Sequence, residues 1–174
     1  MTLIIVLVVL VLLAGLLGFA ATRPDTFRVQ RSASIKAPPQ SILALIDDFH
    51  NWTSWSPWEK LDPALKRTYS GTASGKGAVY EWEGNKKAGQ GRMEITDATP
   101  AGTTIKLDFL KPFEAHNTVD FALQPRGDAT DVTWTMNGKN NFMGKLMCVF
   151  INMDRLVGKD FETGLANLKA ATEK

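Results

Sequence analysis

The chain opens on an apolar run, LIIVLVVLVLLAGLLGFAA from Leu3 to Ala21, interrupted only by Gly15 and Gly18. No acidic, basic or histidine side chain occurs before Arg23. As a helix this run spans roughly 28 Å, close to the ~30 Å hydrocarbon thickness of a bilayer. A helix pairs its own backbone groups, so such a segment needs no polar side chain in lipid. Residues 1–22 are therefore expected to anchor the chain in a membrane. Gly18-Phe19-Ala20 also resembles the small-residue cleavage site of a signal peptide, which leaves a cleaved segment as the alternative.

After a short linker at 23–26 the pattern changes to alternation. Phe27, Val29, Arg31, Ala33 and Ile35 interleave with polar residues, which predicts an amphipathic strand. Pro38-Pro39 ends it and opens a helix, because proline's missing N–H costs nothing in a first turn. Ile42, Leu45, Ile46 and Phe49 give that helix its apolar stripe. A tryptophan segment, Asn51-Trp52-Thr53-Ser54-Trp55-Ser56-Pro57-Trp58, comes next. From Leu65 to about Gly138, short alternating runs are separated by glycine, proline and asparagine turns. This spacing predicts an antiparallel meander with one buried face. From Leu146 to Leu168 apolar residues recur at three and four, predicting one long amphipathic helix with Asn140 or Asn141 as its N-cap. Gly144, Gly158 and Gly164 within it suggest a helix that approaches the sheet closely or bends over it.

Composition narrows the classes. The 174 residues carry a formal charge of +2, with acids and bases interleaved, so no basic face for nucleic acid is expected. One cysteine, Cys148, excludes an intramolecular disulfide, and two histidines cannot alone build a multi-His metal site. No cofactor or metal is implied. Arg23, Arg28, Arg31 and Lys36 follow the apolar run. The positive-inside rule then favours a single-pass protein with residues 27–174 cytoplasmic, a periplasmic domain being the alternative.

Three stretches carry a resemblance. FRVQRSASIKA at 27–37 with Pro38-Pro39 and the helix behind it is similar to the opening strand, Ala-Pro and helix of the SRPBCC superfamily. That superfamily includes START-related lipid-transfer domains, Bet v 1 allergens and polyketide cyclase-like proteins. Residues 51–58 resemble the xWxxWxPW stretch of its bacterial members. Residues 75–85, GKGAVYEWEGN, resemble their GxGxxYxWxGN loop and strand. The resemblance covers about residues 27–170. It implies an α+β helix-grip fold, a curved antiparallel sheet wrapped around a long C-terminal helix, with an apolar cavity between them for lipids, sterols, polyketides or similar molecules. An N-terminal membrane segment occurs in some bacterial members, which also suggests a bacterial inner membrane.

Candidate chemistry is sparse. Ser70 to Gly77 superficially resembles a phosphate loop. However, the Gly71–Gly75 spacing is one residue short, Gly77 replaces the magnesium-binding hydroxyl and no helix pattern follows, so a tight turn is expected. His116, with Glu114 two residues away on the same strand face, is the candidate general base. His50 is expected to cap the first helix of the domain, and Cys148 to be a small core residue. No nucleophilic triad can be assembled. Candidate ligand-contacting residues are Trp52, Trp55, Trp58, Trp82, Phe109, Phe121, Trp134, Met136, Met147, Phe150 and Met153, since aromatics and methionine suit an adaptable apolar pocket, although the same residues could simply fill a core. The leading expectation is membrane-tethered binding or carriage of a hydrophobic small molecule or lipid. The alternatives are a cyclase- or hydrolase-type enzyme using the same cavity, and a non-catalytic interaction module using the tryptophan segment, with no protein partner identified.

Overall fold

The computed structural model describes residues 1–140, 144–146, 149 and 152–173, Leu3 by its backbone alone. Asn141, Met147, Cys148 and Phe150 therefore lie outside the described residues. Helix α1, Thr2–Ala21, leaves most of its apolar side chains exposed. Among the described residues it is the one helix long and apolar enough to cross a membrane, a test that a signal segment also passes.

Strand β1, Thr26–Ile35, buries Val29 and Ile35 and turns Arg28, Gln30, Ser32 and Ser34 outward, the alternation that the sequence predicts. Strands β2 (Lys66–Gly71), β3 (Ala78–Glu83), β4 (Gln90–Thr99), β5 (Gly102–Lys111), β6 (Ala115–Arg126) and β7 (Ala129–Lys139) form the meander. The seven-stranded sheet has the order β1-β7-β6-β5-β4-β3-β2, with every pairing antiparallel. Register shifts in the β4–β5 pair, at Gln90/Gly91 and Ile95/Asp97, bend the sheet toward its inner face.

Strands β1 and β2 are the two edges, so the chain between them must cross the sheet. It does so through α2 (Pro39–Ile46), a 3-10 turn at Phe49–Asn51, α3 (Trp52–Trp55) and a second 3-10 turn at Pro57–Lys60. Helix α2 starts at the prolines as predicted but stops at Ile46, short of Phe49. The Asp48 carboxylate accepts the His50 N–H at 2.9 Å and opens the 3-10 turn there. His50 is consequently not a helix cap. Its ring bonds the same carboxylate at 2.8 Å and stacks on Tyr69 with centroids 3.9 Å apart.

The tryptophan segment supplies the cap instead. A helix end leaves its last carbonyls without partners. Asn51 Nδ2, Trp55 Nε1 and Trp52 Nε1 donate to the carbonyls of Ala44, Leu45 and Ile46 at 2.9, 3.1 and 2.9 Å. That arrangement folds both indoles inward, where Trp52 and Trp55 are buried.

Helix α4, Met153–Thr172, lies along β1 and buries Phe161, Leu165 and Leu168. It starts later than the sequence predicts. Asn152 is extended (φ −81°, ψ 99°) and its side chain accepts the Arg155 N–H, so Asn152 is the N-cap and Asn140 is not. Gly144–Leu146 and Val149 are helical, but the extended Asn152 separates them from α4. Two of the expected close approaches are present. A Cβ on Gly158 would overlap the Arg31 guanidinium, and one on Gly164 would lie 2.7 Å from the Trp134 ring.

Candidate functional site

The inner face of the sheet divides along the strands. At the end where β1 begins, β7 also finishes, and the β3–β4 and β5–β6 turns lie beside them. This is the base of the sheet. The β2–β3 loop and the β4–β5 and β6–β7 turns form the opposite, far end.

Toward the far end the interior is solid aromatic packing. Trp134 stacks on Phe161 at 4.1 Å and 9°, and meets Phe121 at 4.8 Å and Trp55 at 5.5 Å. Trp58 closes this cluster edge-on against Trp134 and Phe161. Trp55, Phe121, Trp134 and Phe161 are all essentially inaccessible. Of the expected ligand-contacting residues, Trp52, Trp55, Phe121 and Trp134 thus form core at this end rather than an open wall. One polar atom inside the cluster lacks a partner among the described residues: the buried Trp134 Nε1–H finds no acceptor there. Such an orphan costs about 1–3 kcal/mol unless something else accepts the bond.

Toward the base the inner face is mostly apolar, with the buried Asn117 beside Phe27, and is less covered. Met93, Leu107 and Met136 are buried, whereas Phe27, Trp82 and Phe109 are only half-buried. Trp82 lies over Gly91, where a Cβ would overlap its ring, and meets Phe109 edge-on at 5.8 Å. Met153, the first residue of α4, is half-buried. The structure therefore buries Trp52, Trp55, Phe121, Trp134 and Met136 among the expected residues, and leaves Trp58, Trp82, Phe109 and Met153 partly exposed.

The catalytic candidates are in neither group. Leu107 and Phe109 point inward, so strand parity turns Asp108 outward, and its partner His116 with it. His116 Nδ1 bonds Asp108 at 2.7 Å and its Nε2 meets Glu114 at 3.2 Å, so the pair does form, on the convex face. Both side chains are well exposed, 63% and 71%. The bond to Asp108 raises the imidazole pKa above its ordinary value. Burial works against ionisation of Asp108, yet His116 and Lys106 outweigh it and hold the carboxyl below the usual range. A general base for a substrate held inside the sheet cannot be placed here.

Two polar clusters were not anticipated. Arg31, at an inward position of β1, bonds Glu162 at 2.7 Å and Asp154 at 2.9 Å across Gly158, pinning α4 to the sheet edge. Its inward parity was legible in the alternation; its partners were not. Glu59, on the second 3-10 turn, is buried and takes bonds from Arg67 Nε and Tyr80 Oη, both at 2.6 Å. Desolvation first, then the neighbouring carboxylate, push the Tyr80 hydroxyl far above the ordinary phenol range. Both Glu59 carboxylate oxygens are engaged, and Arg67 also bonds the Leu65 and Glu59 carbonyls, so the cluster ties the crossing segment to β2 and β3.

The remaining residues of the glycine-rich motif are structural too. Gly71, Gly75 and Gly77 take positive φ in the β2–β3 loop, which is a tight turn and not a phosphate cradle. Gly84 sits under Leu65, and the Asn85 N–H bonds Asp62 at 2.6 Å. Clefts of about 290 and 650 Å³ flank the Asp47–Asn51 segment, the first against Tyr69 and the β2–β3 loop, the second between α2 and Ala98–Pro100. Neither lies between the sheet and α4. Among the described residues no group of three or more His, Cys, Asp or Glu side chains could hold a metal.

Residues 26–173 match a family described as polyketide cyclase/dehydrase and lipid transport. The chain belongs to that family. Solved structures share the folding pattern seen here. Protein CV1439 from Chromobacterium violaceum is similar with a TM-score of 0.60 at 15% identity, over 87% of this chain and 99% of that one. The di-domain aromatase/cyclase BexL of the BE-7585A biosynthetic pathway gives 0.64 at 13% identity, over 90% of this chain and 53% of its own. Ara h 8.0201 gives 0.54 at 11%, over 85% and 95%. At these identities the likeness establishes the helix-grip, Bet v 1-like fold alone. No curated protein matches the chain significantly in sequence.

Proposed function

We propose that this member of the polyketide cyclase/dehydrase and lipid transport family binds or carries a hydrophobic small molecule or lipid on a membrane-tethered domain. The observation that carries the reading is the contrast along the inner face. Trp55, Phe121, Trp134 and Phe161 are fully buried, whereas Phe27, Trp82 and Phe109 toward the base are partly exposed. Covering this partly exposed aromatic surface with an apolar molecule is favourable by about 25 cal/mol per Å². Met93, Leu107 and Met136 line the same region, with Met153 of α4 as a further candidate. Helix α1 would hold this region close to the bilayer, where such molecules concentrate.

A role for Trp52 and Trp55 as an exposed partner surface has no support, since both are core. Nor does the placement of His116 and Glu114 favour the enzymatic alternative. Extraction of the membrane-purified full chain with organic solvent, followed by mass spectrometry, tests the reading. A stoichiometric hydrophobic compound is expected; its absence under non-denaturing purification counts against it.

A further inference from the structure

Beyond Met1 and α1, the exposed large apolar side chains among the described residues are Leu61, Leu110, Phe113 and Leu156. The first three gather at the base. Leu110 and Phe113 belong to the β5–β6 hairpin, and the segment containing Leu61 is tied to the β3–β4 turn by Asp62. Register places them more sharply. Thr26 pairs with Lys139, Gly138 with Asn117, and Asp108 with His116, so residues 110–114 extend beyond the level at which β1 begins. The β3–β4 turn extends past that level as well, since Glu83 pairs with Gln90 and Gln90 with Lys111.

Charge follows the same geography. Lys86, Lys87, Lys111 and Lys139 are exposed at this end, and none has an acidic partner within 4.0 Å among the described residues. The acids nearby are occupied: Glu83 faces Lys66, Glu114 faces His116, and Asp25 meets Lys145. The linker from Ala21 to Thr26 reaches roughly 18 Å when fully extended. It is also fastened, because the Asn140 N–H donates to Asp25 O at 2.8 Å and its side chain to Pro24 O.

We infer that the base of the sheet is a docking face for the anionic bilayer surface, with Phe113 and Leu110 entering the interface and the four lysines set over lipid headgroups. This rests on the membrane-tethered reading, since a short, fastened linker keeps the base near the membrane only if α1 spans it. Exposed aromatics favour the headgroup level, and each lysine adds electrostatic attraction there. Docked in this way, the half-open edge of the interior at Trp82 and Phe109 faces the lipid.

The test uses the full chain in vesicles of phosphatidylcholine with phosphatidylglycerol. A Cys148→Ser background carries an environment-sensitive fluorophore at Phe113→Cys or, as the far-end control, at Asp128→Cys. Lipid-borne quenchers are expected to quench the label at 113 and spare that at 128. Lys86→Gln and Lys111→Gln should each reduce the docked-to-free ratio by roughly fivefold. Equal quenching at 113 and 128 in chains that float with the vesicles and resist carbonate extraction overturns the docking face while leaving the tether intact. Chains that fail to float remove the tether and the docking face together.

Discussion

At the residue scale, glycines decide how closely α4 approaches the sheet. Gly158 leaves room for the Arg31 guanidinium to reach Asp154 and Glu162 on either side of it. Gly158→Ala is expected to cost about 1–3 kcal/mol by overpacking. The cost should shrink when Arg31→Ala is also present, because the two residues share one space. Chemical unfolding of both single variants and the double variant measures this, and strict additivity would contradict it. His116 gives a pH signature. Its folded pKa is raised by Asp108, so the pair's stabilisation is complete below the ordinary imidazole pKa and is lost as pH rises through the raised one. NMR titration should therefore place His116 above about 6.5, and Asp108→Asn should return it toward that value. A titration already at the ordinary value in the unaltered chain would refute the pairing.

At the element scale, the buried Glu59 carboxylate joins the segment crossing the sheet to β2 and β3. Breaking a buried, hydrogen-bonded ion pair leaves one charge without its partner. With Arg67 27% exposed, water compensates part of the charge left behind, so Glu59→Ala is expected to lose about 2–3 kcal/mol, and Tyr80→Phe about 1 kcal/mol. Denaturant midpoints check both, and a near-neutral Glu59→Ala would contradict the assigned role. The elements themselves were largely legible in the sequence, because strand alternation and helical spacing report directly on which face is buried. Val29, Ile105, Val119 and Val132 fall inward as their alternation requires. The end of α2 and the start of α4 were not legible. Each is set by a local side-chain bond, from the Asp48 and Asn152 side chains, and these compete with the apolar periodicity. The motifs at 51–58 and 75–85 also read differently once folded. They cap α2, turn β2 into β3 and seat Trp82, so they identify the fold more than a ligand.

At the scale of the whole molecule, the helix-grip frame is tightly packed around Trp134 and carries the partly exposed aromatics Phe27, Trp82 and Phe109 toward its base. The base adjoins the linker to the apolar helix. The sequence named Trp82, Phe109, Met136 and Met153 among many apolar candidates, but could not separate them from Trp55, Phe121 and Trp134. That distinction depends on strand register and on the course of residues 39–60 across the sheet. It did not single out Phe27, since an inward aromatic at a strand start looks like any core position. The central claim is that the inner face near the base holds a hydrophobic molecule. Native mass spectrometry of the detergent-extracted full chain, incubated with phospholipids, tests it most directly. The chain and its convex-face variant His116→Asn should retain lipid alike, while Trp82→Ala and Phe109→Ala should each weaken retention by roughly tenfold or more. No retention by the unaltered chain, or equal retention by all four proteins, would contradict the claim.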